Sequence, residues 1–110
     1  MRYLTKLIIA LGLAVGPTLA FSGDMTYFDP GLGSCGWTNT NNDAIVALSE
    51  SQPGNCGKNI RIHYNGKTTT AKVVDACPGC GSGSIDVSRS VFGKLADLDK
   101  GRVKVTWEFI

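Results

Sequence analysis

The sequence predicts a mainly β domain, a closed barrel of about six short strands with one short helix. Three observations point there. "NIRIHY" and "RVKVTWEFI" alternate apolar and polar residues with the period of a half-buried strand. Asn65–Gly66, between "NIRIHY" and "KTTTAKVVDA", is the strongest short hairpin signal. Most other segments are short and extended too, and closing them into a barrel removes exposed strand edges.

Residues 1–20 read as a secretory leader. Arg2 and Lys6 precede the short apolar run Leu7–Gly16, and Pro17 introduces "TLA", a small-residue ending that suits cleavage after Ala20. The run is too short to span a bilayer. An exported domain of residues 21–110 follows, expected to be a secreted, extracellular monomer. "DMTYF" (Asp24–Phe28) is a strand stopped by the Asp29-Pro30-Gly31 turn. "AIVALS" (Ala44–Ser49) is a strand or a helical turn; six residues do not distinguish them. After the hairpin, "IDVS" is a short extended piece with Ile85 and Val87 facing the core and Asp86 facing out. "SRSVFGKLADL" puts Val91, Phe92, Leu95 and Leu98 on one helical face, with Ser88 as N-cap. In the last strand Val103, Val105, Trp107 and Phe109 share the inner face.

Charge and cysteine content narrow the function. The full chain has 11 basic and 9 acidic side chains, but Arg2 and Lys6 belong to the leader, so the exported part is balanced at nine of each. That leaves no basic patch for nucleic acid or a membrane surface. Four cysteines in a small exported chain predict disulfides worth roughly 2–4 kcal/mol apiece. Three pairings are open.

The stretch "VVDACPGCGSGSIDVS" (Val73–Ser88) carries the chemistry. A reactive C-x-x-C thiol is activated at a helix N-terminus. Here Cys77 and Cys80 run into Gly81 and Gly83, which do not start a helix. A zinc site wants four ligands. Cys35 and Cys56 are isolated, and the one histidine, His63, sits mid-strand. No metal and no cofactor are therefore expected. The remaining reading is structural: a glycine-lined turn that presents Asp86 on a rigid strand.

"DMTYFDPGLGSCG", "NCGKNIRIHYNGKTTTAKVVDACPGC" and "SIDVSRSVFGKL" together resemble the double-psi β-barrel of expansins, barwin-like proteins, loosenins and rare-lipoprotein-A-like proteins. The resemblance runs in order through nearly all of residues 21–110. It implies a six-stranded double-psi barrel with a groove across one face. In that groove Asp86 would be the functional acid, with Asp75 beside it and Thr26 and Tyr27 touching sugar. It also implies the pairing Cys35–Cys56, which leaves Cys77–Cys80. Cell-wall polysaccharide would be the partner. A second, sugar-binding domain like that of expansins is not expected after the last strand at Ile110.

Cleavage of a glycoside by inversion needs a second carboxylate. In related endoglucanases a tyrosine–aromatic–aspartate element supplies it, which nominates Asp29, although "DPG" accounts for Asp29 as a turn residue. Asp75 shares a strand face with Val73, so it reads equally as a buried hydrogen-bond acceptor. With no clear base, the expected function is non-hydrolytic wall loosening. The alternatives are a glycoside-cleaving enzyme with Asp86 as acid, and a protease inhibitor or host-directed effector that binds a target protein. Trp37 is either a sugar platform or a cover for the disulfide.

Overall fold

The computed structural model describes residues 19–110, so the expected leader lies outside the described residues except for Leu19 and Ala20. Six strands form: β1 (Ala20–Tyr27), β2 (Ile45–Ser49), β3 (Asn59–Tyr64), β4 (Lys67–Cys77), β5 (Ile85–Val87) and β6 (Arg102–Phe109). They close into a barrel in the order β1-β5-β2-β4-β3-β6. The β1–β5 and β2–β4 pairs are parallel and the others antiparallel. Helix α1 (Arg89–Leu95) and a 3-10 turn at Leu98–Lys100 separate β5 from β6. This is the mainly β barrel with one short helix that the alternation and the hairpin predict.

The interior is filled by the inward positions of every strand. Met25, Ile60, Ile62, Ile85, Val87 and Trp107 are fully buried, and Val91, Phe92 and Leu95 of α1 complete the core. Asn65 (φ 47°) and Gly66 (φ 80°) both take positive φ, the geometry of a two-residue hairpin between β3 and β4.

Four details differ from expectation or sharpen it. β1 begins at Ala20 rather than Asp24, because Phe21 pairs with Trp107 across β6 and their rings stack at 4.4 Å. Residues 45–49 are a strand; all five are buried between β4 and β5, so no alternation was available to read. Ser88 precedes α1 without capping it, and its Oγ donates to the Asp43 carbonyl at 2.6 Å instead. Leu98 lies beyond the end of α1, on the 3-10 turn, and is 36% exposed.

A β-bulge corrects the placement of Asp75. β2 and β4 run in register from Ile45↔Lys72 to Val46↔Val73, then shift so that Ala47 faces Asp75. Val74 is the extra residue. Simple alternation would put Asp75 inside with Val73, but the bulge resets the count. Ala47 lies between the core residues Val46 and Leu48 and so faces outward. Its partner Asp75 shares that face and is half-buried.

The chain crosses itself at two glycines. A β-carbon on Gly23 would lie 2.6 Å from the carbonyl group of Gly83, and one on Gly83 would overlap the Ser22 carbonyl. Gly83 also has φ +81°. Its carbonyl accepts a 2.9 Å bond from Trp107 Nε1, and the next residue, Ser84, accepts the Asp24 amide at 3.1 Å. These bonds fix the turn that leads into β5.

Candidate functional site

Strand register lines up five residues across the barrel's outer face. Asp75 of β4 pairs with Ala47 of β2, Ala47 with Asp86 of β5, Asp86 with Thr26 of β1, and Thr26 with Arg102 of β6. Neighbouring strands lie about 4.8 Å apart, so the backbones of Asp75 and Asp86 stand about 10 Å apart with the small Ala47 between them.

Asp86 is half-buried, while Ile85 and Val87 on either side are fully buried. Thr26 Oγ1 donates to its Oδ1 at 3.0 Å. Burial pushes the Asp86 carboxyl above its ordinary value, against the smaller opposing pulls of the Thr26 hydrogen bond and the Arg102 charge. The side chain lines a depression of about 400 Å³ with Thr26, Asp24, Ser84, Arg102 and the Cys77–Cys80 disulfide.

Asp24 is a site residue that the sequence reading missed. Its two oxygens take Lys104 at 2.9 Å and Arg102 at 3.1 Å, and these bonds hold its carboxyl below the ordinary value. A signal was available: Asp24 and Thr26 are two apart in a strand and must share a face.

Asp75 opens into an adjoining depression of about 390 Å³, bordered by Glu50, Pro53 and the Cys35–Cys56 pair. One oxygen, Oδ1, accepts both the Ser34 and the Ala76 amides at 2.8 Å. Asp75 thus pins the loop that carries Cys35, and Gly33 in that loop packs directly on its side chain. Ala76 lines one depression and Cys77 the other, so the two adjoin at the end of β4, and the Asp86 depression forms a furrow beside the Cys77–Cys80 turn.

Both disulfides form as the resemblance implied, Cys35–Cys56 and Cys77–Cys80. The remaining candidates stand apart from Asp86. Asp29 is exposed and bonds Asn41 at 2.9 Å and Arg89 at 3.1 Å. Tyr27 packs edge-on against Phe92, donates its hydroxyl to the Leu98 carbonyl at 3.0 Å, and carries the Arg89 guanidinium over its ring. Trp37 is 42% exposed beside the Cys35–Cys56 loop, with Lys72 Nζ 4.4 Å over its ring centre. Among the described residues no three His, Cys, Asp or Glu side chains gather closely enough to hold an ion.

A family model of double-psi β-barrels, described as lytic transglycolase, matches residues 21–107. The chain belongs to this family. Within this rare-lipoprotein-A-like barrel, the Val-Val-Asp-Ala-Cys-Pro segment supplies Asp75 and Cys77, and the Ile-Asp-Val-Ser segment supplies Asp86. Among relatives, Allergen Asp f 7 of Aspergillus fumigatus is 42% identical over 79% of this chain and 36% of its own length. Its homolog in Arthroderma benhamiae is also 42% identical, over 73% and 32%. The chain thus spans about a third of the length of these two relatives. The Papain inhibitor of Streptomyces mobaraensis is 35% identical over 89% of this chain and 82% of its own length. Among solved structures, a Streptomyces papain inhibitor superposes with a TM-score of 0.75 at 34% identity, covering 86% of this chain and 97% of that one. A mutant Clavibacter michiganensis expansin in complex with cellohexaose also reaches a TM-score of 0.75. It is 21% identical, covers 84% of this chain and 50% of that one, and shares the fold alone.

Proposed function

We propose that this double-psi barrel is an exported protein that binds cell-wall polysaccharide in the Asp86 furrow and loosens it without hydrolysis. The observation that carries this reading is the state of the carboxylates. Of the two carboxylates that line the Asp86 depression, Asp24 and Asp86, only Asp86 has no cation bonded to it; its bond is to a neutral hydroxyl, Thr26. Asp24 is bonded to two cations, and Asp75 holds two amides with one oxygen. Inverting cleavage would need a second carboxylate free to activate water. A single carboxyl of raised pKa can instead exchange hydrogen bonds with sugar hydroxyls, which competes with glycan–glycan bonding. An expansin solved with cellohexaose shares this barrel, which supports a glycan as the class of ligand.

Retention on insoluble wall polysaccharides, combined with an assay for soluble fragments, tests the reading. Binding that weakens in Asp86→Asn, with no fragments released, is the expected result. Asp86-dependent release of fragments would establish the glycoside-cleaving alternative instead, in which Asp86 is a general acid. A second reading, protease inhibition, is favoured by the likeness to the Papain inhibitor over most of both chains. Leu32 (76% exposed) and Trp37 stand on the loop tied by Cys35–Cys56, a rigid apolar edge suited to contact a protein. Inhibition of papain that is relieved by Trp37→Ala, with no glycan retention, would establish this reading.

A further inference from the structure

The chamber around Asp86 contains no aromatic side chain; its polar groups are Asp24, Thr26, Ser84, Asp86 and Arg102. Tyr27 and Phe21 are engaged elsewhere, and Phe28, two residues beyond Thr26, does not line the chamber. Tyr27 is bonded to Leu98 and covered by Arg89, and Phe21 stacks on Trp107. A neutral glucan is commonly gripped through the apolar face of its rings, and this chamber offers no ring to stack on. Recognition there falls to hydrogen bonds and charge.

The charges at this end of the furrow do not cancel within the Asp24 cluster. Arg102 and Lys104 share one partner, Asp24, and the positive charge this leaves is the one that pulls on Asp86 from across Thr26. Arg102 gives Asp24 a single nitrogen at 3.1 Å, and its side chain is 65% exposed. A guanidinium has five N–H donors in a planar fork, and the others have no partner among the described residues. Asp24 fixes the fork from one side and leaves donors to meet a planar anion, as carboxylates meet arginine in two-point bonds. Arg102 is also opposite Thr26, two strands from Asp86 with Thr26 between them, so a ligand on the fork reaches the Asp86–Thr26 pair.

We infer that Arg102, held by Asp24, is a carboxylate subsite, and that the furrow selects acidic polysaccharides, those bearing uronic acid carboxylates, over neutral ones. The inference rests on the glycan-binding reading and names its ligand class. The sugar carboxylate sits on the Arg102 fork while ring hydroxyls meet Asp86 and Thr26.

Calorimetric titration with polygalacturonate oligomers, their methyl esters and cello-oligosaccharides tests it. The acid should bind more tightly than the ester or the neutral glucan. Arg102→Gln should weaken the acid about tenfold, the loss of one charge-assisted bond, and leave the ester unchanged. Arg102→Lys, a point charge without the fork, should recover only part of the affinity. Lys67→Gln, which removes the same charge at the β3–β4 hairpin, should have no such effect. Equal binding of acid and ester, or equal losses from Arg102→Gln and Lys67→Gln, would overturn the subsite. If cello-oligosaccharides bind through Asp86 with no preference for the acid, the glycan reading stands and this inference falls. If no glycan binds, both fall.

Discussion

Alanine at Gly83 tests how the furrow is held. The residue has φ +81°, a region that costs an L-residue about 1–2 kcal/mol. Its new methyl would also meet the Ser22 carbonyl on β1, and overpacking of this kind costs about 1–3 kcal/mol. Together the loss is about 2–5 kcal/mol, a large fraction of the stability of a domain this small. The control is two residues away. Gly81 has open space around its α-carbon and no positive φ, so Gly81→Ala should be neutral or stabilising by up to about 1 kcal/mol. Urea denaturation of both variants at pH 7 reads the difference, and thermal melting should follow at about 4–8 °C per kcal/mol. Two residues of one glycine-rich run would thus respond in opposite ways. Wild-type stability in Gly83→Ala, or equal losses in the two variants, would refute the crossing of β1 beneath the turn as the device that positions Asp86.

Asp86→Asn should raise stability at pH 7. The folded pKa is raised, so Asp86 favours folding only below its unfolded value near 3.8, and this contribution is lost as pH rises through the folded value. Melting temperatures of variant and wild type should therefore differ at pH 7 and converge below about pH 3.8; a variant less stable at pH 7 would contradict the burial assigned to the carboxylate. Removing Cys35–Cys56, which spans 21 residues, should cost about 3 kcal/mol by chain entropy. Removing Cys77–Cys80, which spans 3, should cost under about 2 kcal/mol yet weaken glycan retention more, because its sulfurs line the Asp86 chamber. Denaturation and retention measured on the two double-serine variants check that reversal. Trp107→Phe leaves the Gly83 carbonyl without its donor and should cost about 1–3 kcal/mol from that loss alone; stability equal to wild type would remove the Trp107–Gly83 bond from the account.

Much of the architecture was legible where one face of a strand is buried and the other wet. β3 and β6 alternate cleanly, and Asn65–Gly66 names its own turn. The outward side of Asp86 followed from its two apolar neighbours. β2 was not legible, because burial on both faces erases the period. The disulfide partner of each cysteine, and the family, came from motif resemblance rather than from local physics.

What the chain determines by itself is therefore the alternating strands, the hairpin and the outward side of Asp86, all consequences of spacing between neighbours a few residues apart. What surrounds Asp86 was decided by the closed barrel. The register of β1 against β6 brings Arg102 and Lys104 to Asp24, residues about eighty positions apart. The bulge at Val74 turns Asp75 outward into the adjoining depression. Pairing between distant strands sets both, and no local pattern records which strand a given edge will meet.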